Sequence, residues 1–450
     1  MNHRRQLAAA LACAMAVGLC GGAVLATEPP QPSPSDILLI SPDPGSVPSE
    51  EDTPASTQPE TDAPAPSAED THPLPPEPKE ENIPDTEGTV SFSNLERLMR
   101  QGYYSLLSLE ETILSLKAID YDKMTDDLRD GLNAIADAQW YMHLMGNSVA
   151  AQSLQANYDS LRKTFDDLYS GKFQEDQANL MRQLEHAQDQ IIMAGESLYI
   201  ALVELDHTDA TLARNLATLD RTLAELNIRY EMGQISALTL SETKAGRTSL
   251  VSGRQTLDMN RTNLRFQLQS MLGEELTGEL VLAGLPALTQ SELDSMDMDA
   301  DLEQAKAASY DLLAARITLD DAKAAYDEAC DEYNSNTQKY EFVSALHTWN
   351  AAQYTYDATV QNYELSFRSL YAQVKDYEQV LAAAKTSLAV KQDSLASAQI
   401  QFERGTISEY KMLDAKDAVA EAQDKVDSAS IDLFSAYNNY CWAVERGILN

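Results

Sequence analysis

The sequence predicts a mainly α protein made of internally duplicated, long antiparallel helical hairpins with coiled-coil packing and little or no β-barrel. Three observations predict it. No glycine or proline occurs between Ala287 and Arg404, so this span lacks the turn signals that short strands need every 8 to 12 residues or so. Leu198, Leu202, Leu205, Asp209, Leu212, Leu216, Leu219, Leu223, Leu226 and Tyr230 alternate steps of four and three, the heptad spacing of a helix pressed along one partner. A shift of 172 residues lays this seam onto Leu370, Val374, Tyr377, Leu381, Ala384, Leu388, Lys391, Leu395, Ala398 and Phe402, with 14 identities in the 49 positions from Ser197 to Ala245. That common offset marks an internal duplication.

Taken in order, residues 1–26 carry Arg4 and Arg5 and then an apolar run from Leu7 to Leu25 that ends in Val24, Leu25 and Ala26. This is the pattern of a secretory signal peptide with a small-residue cleavage site. Leu19 before Cys20 makes a poor lipid-attachment motif, so simple cleavage is expected. Residues 27–88 hold 16 of the 17 prolines, 15 acidic residues and one lysine. Such a segment buries too little apolar surface to offset its ordering entropy, and is expected to be a disordered tether. In polyproline II it spans up to about 190 Å.

The first half, residues 89–284, contains the first seam, and the second half, residues 285–450, contains its copy. Upstream of the seams the match continues at an offset of 207, with Leu95, Glu96, Tyr103 and Leu106 facing Leu302, Glu303, Tyr310 and Leu313. The first half therefore carries 35 extra residues between its opening helix and its seam helix. The halves meet near Gly278 to Pro286. After Gly405, the positions Met412, Ala415, Val419, Ala422, Val426, Ala429, Leu433, Ala436 and Tyr440 form a second stripe. Its recurrent alanine allows close helix approach. After Gly233, Leu250, Leu257, Leu264 and Met271 form one row and Arg247, Arg254 and Arg261 another. The arginines are expected to form a ladder against acidic neighbouring helices.

The two halves share one short frame, YEMGQISAL from Tyr230 to Leu238 and FERGTISEY from Phe402 to Tyr410. Each frame is expected to be the tip of a hairpin. Gly233 or Gly405 ends one helix, Ser236 or Ser408 caps the next, and Ile235 or Ile407 stands beside the cap. A turn alone accounts for the Gly and Ser, but less well for the matching Glu231 and Glu403, Ile235 and Ile407, and Lys244 and Lys416.

These features resemble the outer-membrane efflux (TolC) family. In it a signal peptide precedes two tandem halves, each a pair of long helices meeting at an aromatic-x-x-Gly turn followed by a Leu-Asp-Ala step. Phe402 to Thr406 and Met412 to Ala415 fit that pattern, and Tyr230 to Gly233 with Leu240 to Thr243 fit it more loosely. The resemblance covers roughly residues 90–450. It implies a homotrimer whose twelve long helices form an α-barrel tunnel. It also implies tips that dock a periplasmic-type adaptor (membrane fusion protein) served by an inner-membrane pump, as in a type I or tripartite efflux system. The tip residues so implied are Tyr230, Gly233, Ile235, Ser236, Phe402, Gly405, Ile407 and Ser408. Lys411 and Asp414 fall where the family narrows its entrance, although Lys411 departs from the acidic pattern. Family barrel strands would fall at about 126–190 and 331–364. The second window lacks Gly and Pro, and Gly146 and Gly171 bracket further helices in the first, so the barrel is expected to be reduced or missing.

Composition excludes other classes. A net charge of −38 argues against a nucleic-acid partner. The six histidines are scattered, with no HxxxH or CxxC spacing and no Gly-rich phosphate loop, so neither an enzyme, a metal site nor a cofactor is expected. Beyond the signal only Cys330 and Cys441 remain. They suit small buried side chains, with one mutual disulfide as the alternative. The expected location is the cell envelope, at an outer membrane if the host has one and otherwise at the cell wall. A competing reading is an exported coiled-coil protein of that envelope, structural or adhesive, without channel activity.

Overall fold

The computed structural model of the protein describes residues 89–449; the signal peptide and tether expected over 1–26 and 27–88 lie outside the described residues. The first half opens with strand β1 (Thr89–Val90) and helices α1 (Phe92–Gly102) and α2 (Tyr104–Lys117). It continues through α3 (Tyr121–Leu144), α4 (Ser148–Tyr169), α5 (Lys172–Glu231) and α6 (Ala237–Leu272). A linker carrying β2 (Val281–Leu282) leads to α7 (Gln290–Asp294), α8 (Met298–Ala308), α9 (Tyr310–Tyr333), α10 (Tyr340–Glu403) and α11 (Glu409–Arg446). At 1.5 Å per residue, the 60-residue α5 and 64-residue α10 are about 90 and 95 Å long. Helices of that length depend on a continuous packed stripe, since propensity alone sustains only short ones.

The duplication is visible in the backbone. The opening helix of each half breaks at corresponding places, α1 from α2 at Tyr103 and α8 from α9 at Ser309, both with extended backbone (ψ 112° and 117°). Each half then runs through a long seam helix, a tight turn and an antiparallel return helix. The seam positions are buried or half-buried from Leu198 to Leu226 and from Leu370 to Ala398, apart from exposed Lys391. The alanine stripe of α11 also faces inward, with Ala422, Ala429, Leu433, Ala436 and Tyr440 buried.

The extra residues of the first half fall within the α3–α4 hairpin. Asp120 and Asn147 start its two helices by accepting hydrogen bonds from the backbone N–H groups of Lys123 (3.0 Å) and Ala150 (3.2 Å). The second half passes from α9 to α10 through one turn, where Asn334 and Ser335 adopt φ of 50° and 54°. Both windows in which barrel strands would fall are helical. Among the described residues the strands are β1 and β2, paired parallel with Thr89 beside Val281.

Each half has its own core, and α11 serves both. Leu95, Met99, Ile192, Tyr199, Leu202 and Leu268 gather in the first, together with Trp442 and Ile448. Leu302, Ala305, Phe367 and Val374 gather in the second with Leu433, Tyr440 and Ala443. A fully buried leucine such as Leu95, Leu202 or Leu268 contributes about 2 kcal/mol. The linker is held to the first core by side chains: buried Gln269 donates to Thr277 Oγ1 and accepts from Gly278 N, both at 2.9 Å. The Tyr199 hydroxyl lies 3.0 Å from the Val90 and Gly284 carbonyl oxygens.

At the base of each hairpin, backbone meets backbone. A Cβ on Gly102 would sit 1.9 Å from the Leu272 carbonyl oxygen, and one on Gly447, at φ +67°, would sit 2.3 Å from Ser309 Cα. Side chains are therefore excluded where the opening helix breaks across the end of the return helix. Gly102→Ala should cost about 3 kcal/mol or more of unfolding free energy. Gly253→Ala on the open face of α6, where nothing lies within 4 Å, should stabilise by about 0.5 to 1 kcal/mol. Denaturant unfolding followed by circular dichroism separates the two; equal effects would remove the close-approach argument.

Candidate functional site

The two hairpin turns are nearly superposable in their hydrogen bonding. In the first, Gly233 N donates to Tyr230 O (2.9 Å) and Gln234 N to Arg229 O (2.8 Å); in the second, Gly405 N donates to Phe402 O (2.8 Å) and Thr406 N to Gln401 O (2.9 Å). Gly233 and Gly405 share φ of +72°. This is the Schellman ending, which the left-handed glycine makes possible. Ser236 then accepts from Thr239 N (3.1 Å) and Ser408 from Lys411 N (3.4 Å), starting α6 and α11. Ile235 and Ile407 are half-buried beside these caps. With Leu240 and Met412 five residues on, they occupy the two positions of a hydrophobic staple. Ile235 and Ile407 thus have a structural duty, which explains their recurrence without reference to a partner.

Side-chain pairs between α5 and α11 bring the two turns to one end. Going along α5 toward its tip, Glu196 meets Asn438 and Trp442, His207 donates to the Asp424 carbonyl (3.2 Å), Arg214 pairs with Asp424, and Arg221 pairs with Asp417. The partner numbers fall as the α5 numbers rise, so the helices are antiparallel and their register carries the Gly233 turn toward the Gly405 turn. Lys411 and Asp414 lie exposed in the first turns of α11 at that end. Asp414 lines a groove between α5 and α11 together with Arg221 and Asp417.

The tips expose more apolar surface than the sequence frame indicated. Tyr230 is 44% exposed and Phe402 38%, and around them Ile228, Met232, Leu238, Ile400 and Tyr410 are exposed as well. These neighbours fall off the heptad seam, which is the one sequence signal that could have singled them out.

Behind the tips the expected arginine ladder is present. Arg247 pairs with Asp220 (2.5 Å), Arg254 with Asp209 (2.7 Å), and Arg261 with Asp206 (2.5 Å) and Asp209 (3.2 Å). Asp209, the one polar position of the first seam, is thereby explained as the acceptor for two arginines of α6. The Arg254 hydrogen bond holds the Asp209 carboxyl below the usual range, and Arg247 does the same to Asp220. The solvent-facing Arg247–Asp220 pair contributes little stability, whereas Arg261 meets Asp206 and Asp209 in a half-buried setting. A second ladder, Arg214 and Arg221 on α5, was missed in the sequence although its spacing is also seven.

One carboxylate behaves differently. Glu196 is buried, and its Oε2 accepts from Asn438 Nδ2 (2.8 Å) and Trp442 Nε1 (2.6 Å). Burial pushes its pKa up, partly opposed by the two hydrogen bonds. Among the described residues no group of His, Cys, Asp and Glu could hold a metal ion, and Cys330 and Cys441 are both free and half-buried. Burial raises the Cys441 thiol to about 11, so it is an inert packing side chain at neutral pH.

No protein-family model and no curated protein matches this chain. Among solved structures, it is similar to a membrane protein from Pseudomonas aeruginosa (12% identity, 78% of this chain and 90% of that one, TM-score 0.48). It is also similar to the outer membrane protein VceC of Vibrio cholerae (14%, 79% and 96%, TM-score 0.46). A third is the open state of the MtrE outer membrane channel of Neisseria gonorrhoeae (13%, 79% and 89%, TM-score 0.47).

The Glu196 junction gives a pH test. Its raised pKa means that the folded state binds the proton more tightly than the unfolded state, so this residue's penalty is absent in acid and develops as pH rises through the raised pKa. Glu196→Gln keeps an acceptor oxygen for Asn438 and Trp442, so its thermal midpoint relative to wild type should rise with pH above the ordinary carboxylate value of 4.5. A constant difference across the titration would contradict the assignment. Trp442→Phe, which removes one donor and keeps a ring, should cost about 2 kcal/mol.

Proposed function

We propose that this chain is a TolC-like conduit component of a bacterial cell envelope, acting by passage rather than by chemistry. It assembles as a homotrimer in which α5, α6, α10 and α11 of each copy wall a tunnel. The two turns dock an adaptor that couples the tunnel to an inner-membrane pump. The observation that carries this reading is the pair of turns. They repeat one backbone geometry, lie toward one end, and expose Ile228, Tyr230, Met232, Ile400, Phe402 and Tyr410, apolar side chains that a turn does not require.

Incomplete burial of the long helices supports assembly. Toward the tips, α5 from Ala224 to Glu231 and α10 beyond Val374 contain no buried residue, and Leu365, Val380 and Val390 of α10 are exposed. A helix from another copy would cover such positions, as neighbours in a helical barrel cover one another's seams. Lys411 and Asp414, exposed at the tip end, would face the entrance. An entrance lined by both charges would narrow the opening without making it uniformly acidic.

A second reading, a structural or adhesive coiled-coil protein of the envelope, is favoured by one observation: both windows in which barrel strands would fall are helical. The two readings part on assembly and on the tips. The conduit requires trimers with a central pore by electron microscopy, whereas a monomer or a solid coiled coil supports the alternative. Ile228→Asp with Phe402→Asp, changes outside the staple, should weaken adaptor capture by at least about tenfold with helix content intact. Gly405→Pro with Gly233→Pro, or Ile407→Asp with Ile235→Asp, should abolish adaptor binding and export together by breaking the turns. Unaltered export in all of these variants would sink the docking proposal.

A further inference from the structure

The α3–α4 hairpin is rooted at the end of α5 opposite the docking turns. It leaves where Tyr121 meets Phe173 with ring centroids 6.2 Å apart, and α5 runs for 60 residues from there to the Gly233 turn. Its own tip is unlike the rest of the protein. Between Asp137 and Asp159, 21 consecutive residues include no Asp, Glu, Lys or Arg, in a chain with 23% charged residues and a net charge of −38. Across the Gly146 turn, Trp140 is 68% exposed, Tyr141 50%, Leu144 68%, Met145 65% and Val149 78%. Trp140 with Leu144 and Tyr141 with Met145 are four residues apart, so they form two adjacent stacked pairs at the C-terminal end of α3, where Met145 is the C-cap.

This surface is not required by the hairpin. The buried residues of α3 and α4 are Leu128, Leu132, Ala151 and Leu168, which lie on other positions. The turn of the second half, residues 334–339, is made of Asn, Ser, Asn, Thr, Gln and Lys, so a polar tip serves the same topology. No described helix is long and apolar enough to cross a membrane.

We propose that the α3–α4 tip is a membrane-interface anchor, in which Trp140, Tyr141, Leu144, Met145 and Val149 enter the headgroup and upper acyl region of a bilayer with no net charge. Charge matching selects this occupant. A protein partner for so acidic a chain would be recognised through cations, which the tip has no carboxylate to meet. An anionic bilayer would repel the remainder of the molecule. A neutral lipid surface demands only uncharged apolar side chains, and Trp and Tyr, apolar rings with one polar hydrogen-bonding group, are suited to its boundary. The tip enters the interface without spanning it, and it does so whether or not the opposite turns bind an adaptor.

The test uses the full chain and phosphatidylcholine vesicles, with no adaptor or pump present, so its outcome is separate from that of the conduit proposal. The wild-type chain should float with the vesicles, and Trp140 fluorescence should shift to the blue and be quenched by brominated acyl chains. Trp349, which stacks on Tyr326 with centroids 4.8 Å apart, and buried Trp442 should not respond. Trp140→Phe should lose the quenching. The variant Trp140→Ser/Leu144→Ser/Met145→Ser/Val149→Ser should partition at least about tenfold more weakly, with an unchanged thermal midpoint because every substituted site is exposed. Failure of the wild type to float, or equal flotation of the variant, would overturn the proposal. So would a fall in oligomeric mass of the variant in lipid-free light scattering, which would assign the patch to a second copy of the chain.

Discussion

The close backbone contact at the base of each hairpin sets the rest of the architecture. Gly102 against the Leu272 carbonyl and Gly447 against Ser309 place the broken opening helix of each half directly across the end of its return helix. No side chain can intervene, so the axial position of both helices is set to within a fraction of a residue. Long helices amplify that setting: any slip at the base would be carried along the full length of α5 and α10. The cores gather beside this contact, in the segments where opening, seam and return helices all meet. Farther out only the hairpin pairs and the α5–α11 pairing remain, and burial thins accordingly.

Acidity makes register an electrostatic problem as well. A chain with net charge −38 repels itself when compact, and several of its arginines sit against carboxylates of neighbouring helices. Arg247, Arg254 and Arg261 tie α6 to α5, and Arg214 and Arg221 tie α5 to α11. Because the two sets leave α5 toward different neighbours, one seam helix is held within its own half and to the other half at once. Glu196 does the same work at the base through hydrogen bonds to Asn438 and Trp442, and its burial couples the junction between halves to pH.

The protein is therefore divided by length. One end presents two matched turns with exposed aromatic and aliphatic side chains, and the other presents an unmatched hairpin with an uncharged tip. The duplication explains the first end, because two copies of one hairpin return the chain to the same place. The 35 extra residues explain the second, because they extend only one of the copies. The docking turns and the base of the α3–α4 hairpin thus lie about 90 Å apart along α5.

Much of this was legible in the residues themselves. Period, offset and turn chemistry are local or repeated properties of the chain, so the seam, the duplication, the Schellman turns at Gly233 and Gly405 and the helical character of residues 126–190 and 331–364 could be read from the sequence. The pairing of Asp209 with Arg254 and Arg261 was foreseeable in kind, since an acid in an apolar seam needs a cation. Other features depend on which helices become neighbours, and no periodicity encodes that. Sequence alone could not show that Glu196 would be buried against Trp442, 246 positions away, or that Arg221 would meet Asp417. Nor could it show that Leu144 and Val149 would stay in solvent while Leu128 and Leu132, on the same helix as Leu144, are covered. By itself the sequence determined the helices and where they turn, because those follow from spacing within one segment. The tertiary structure decided which apolar residues were left uncovered, because burial depends on the neighbours that the fold brings to each helix face.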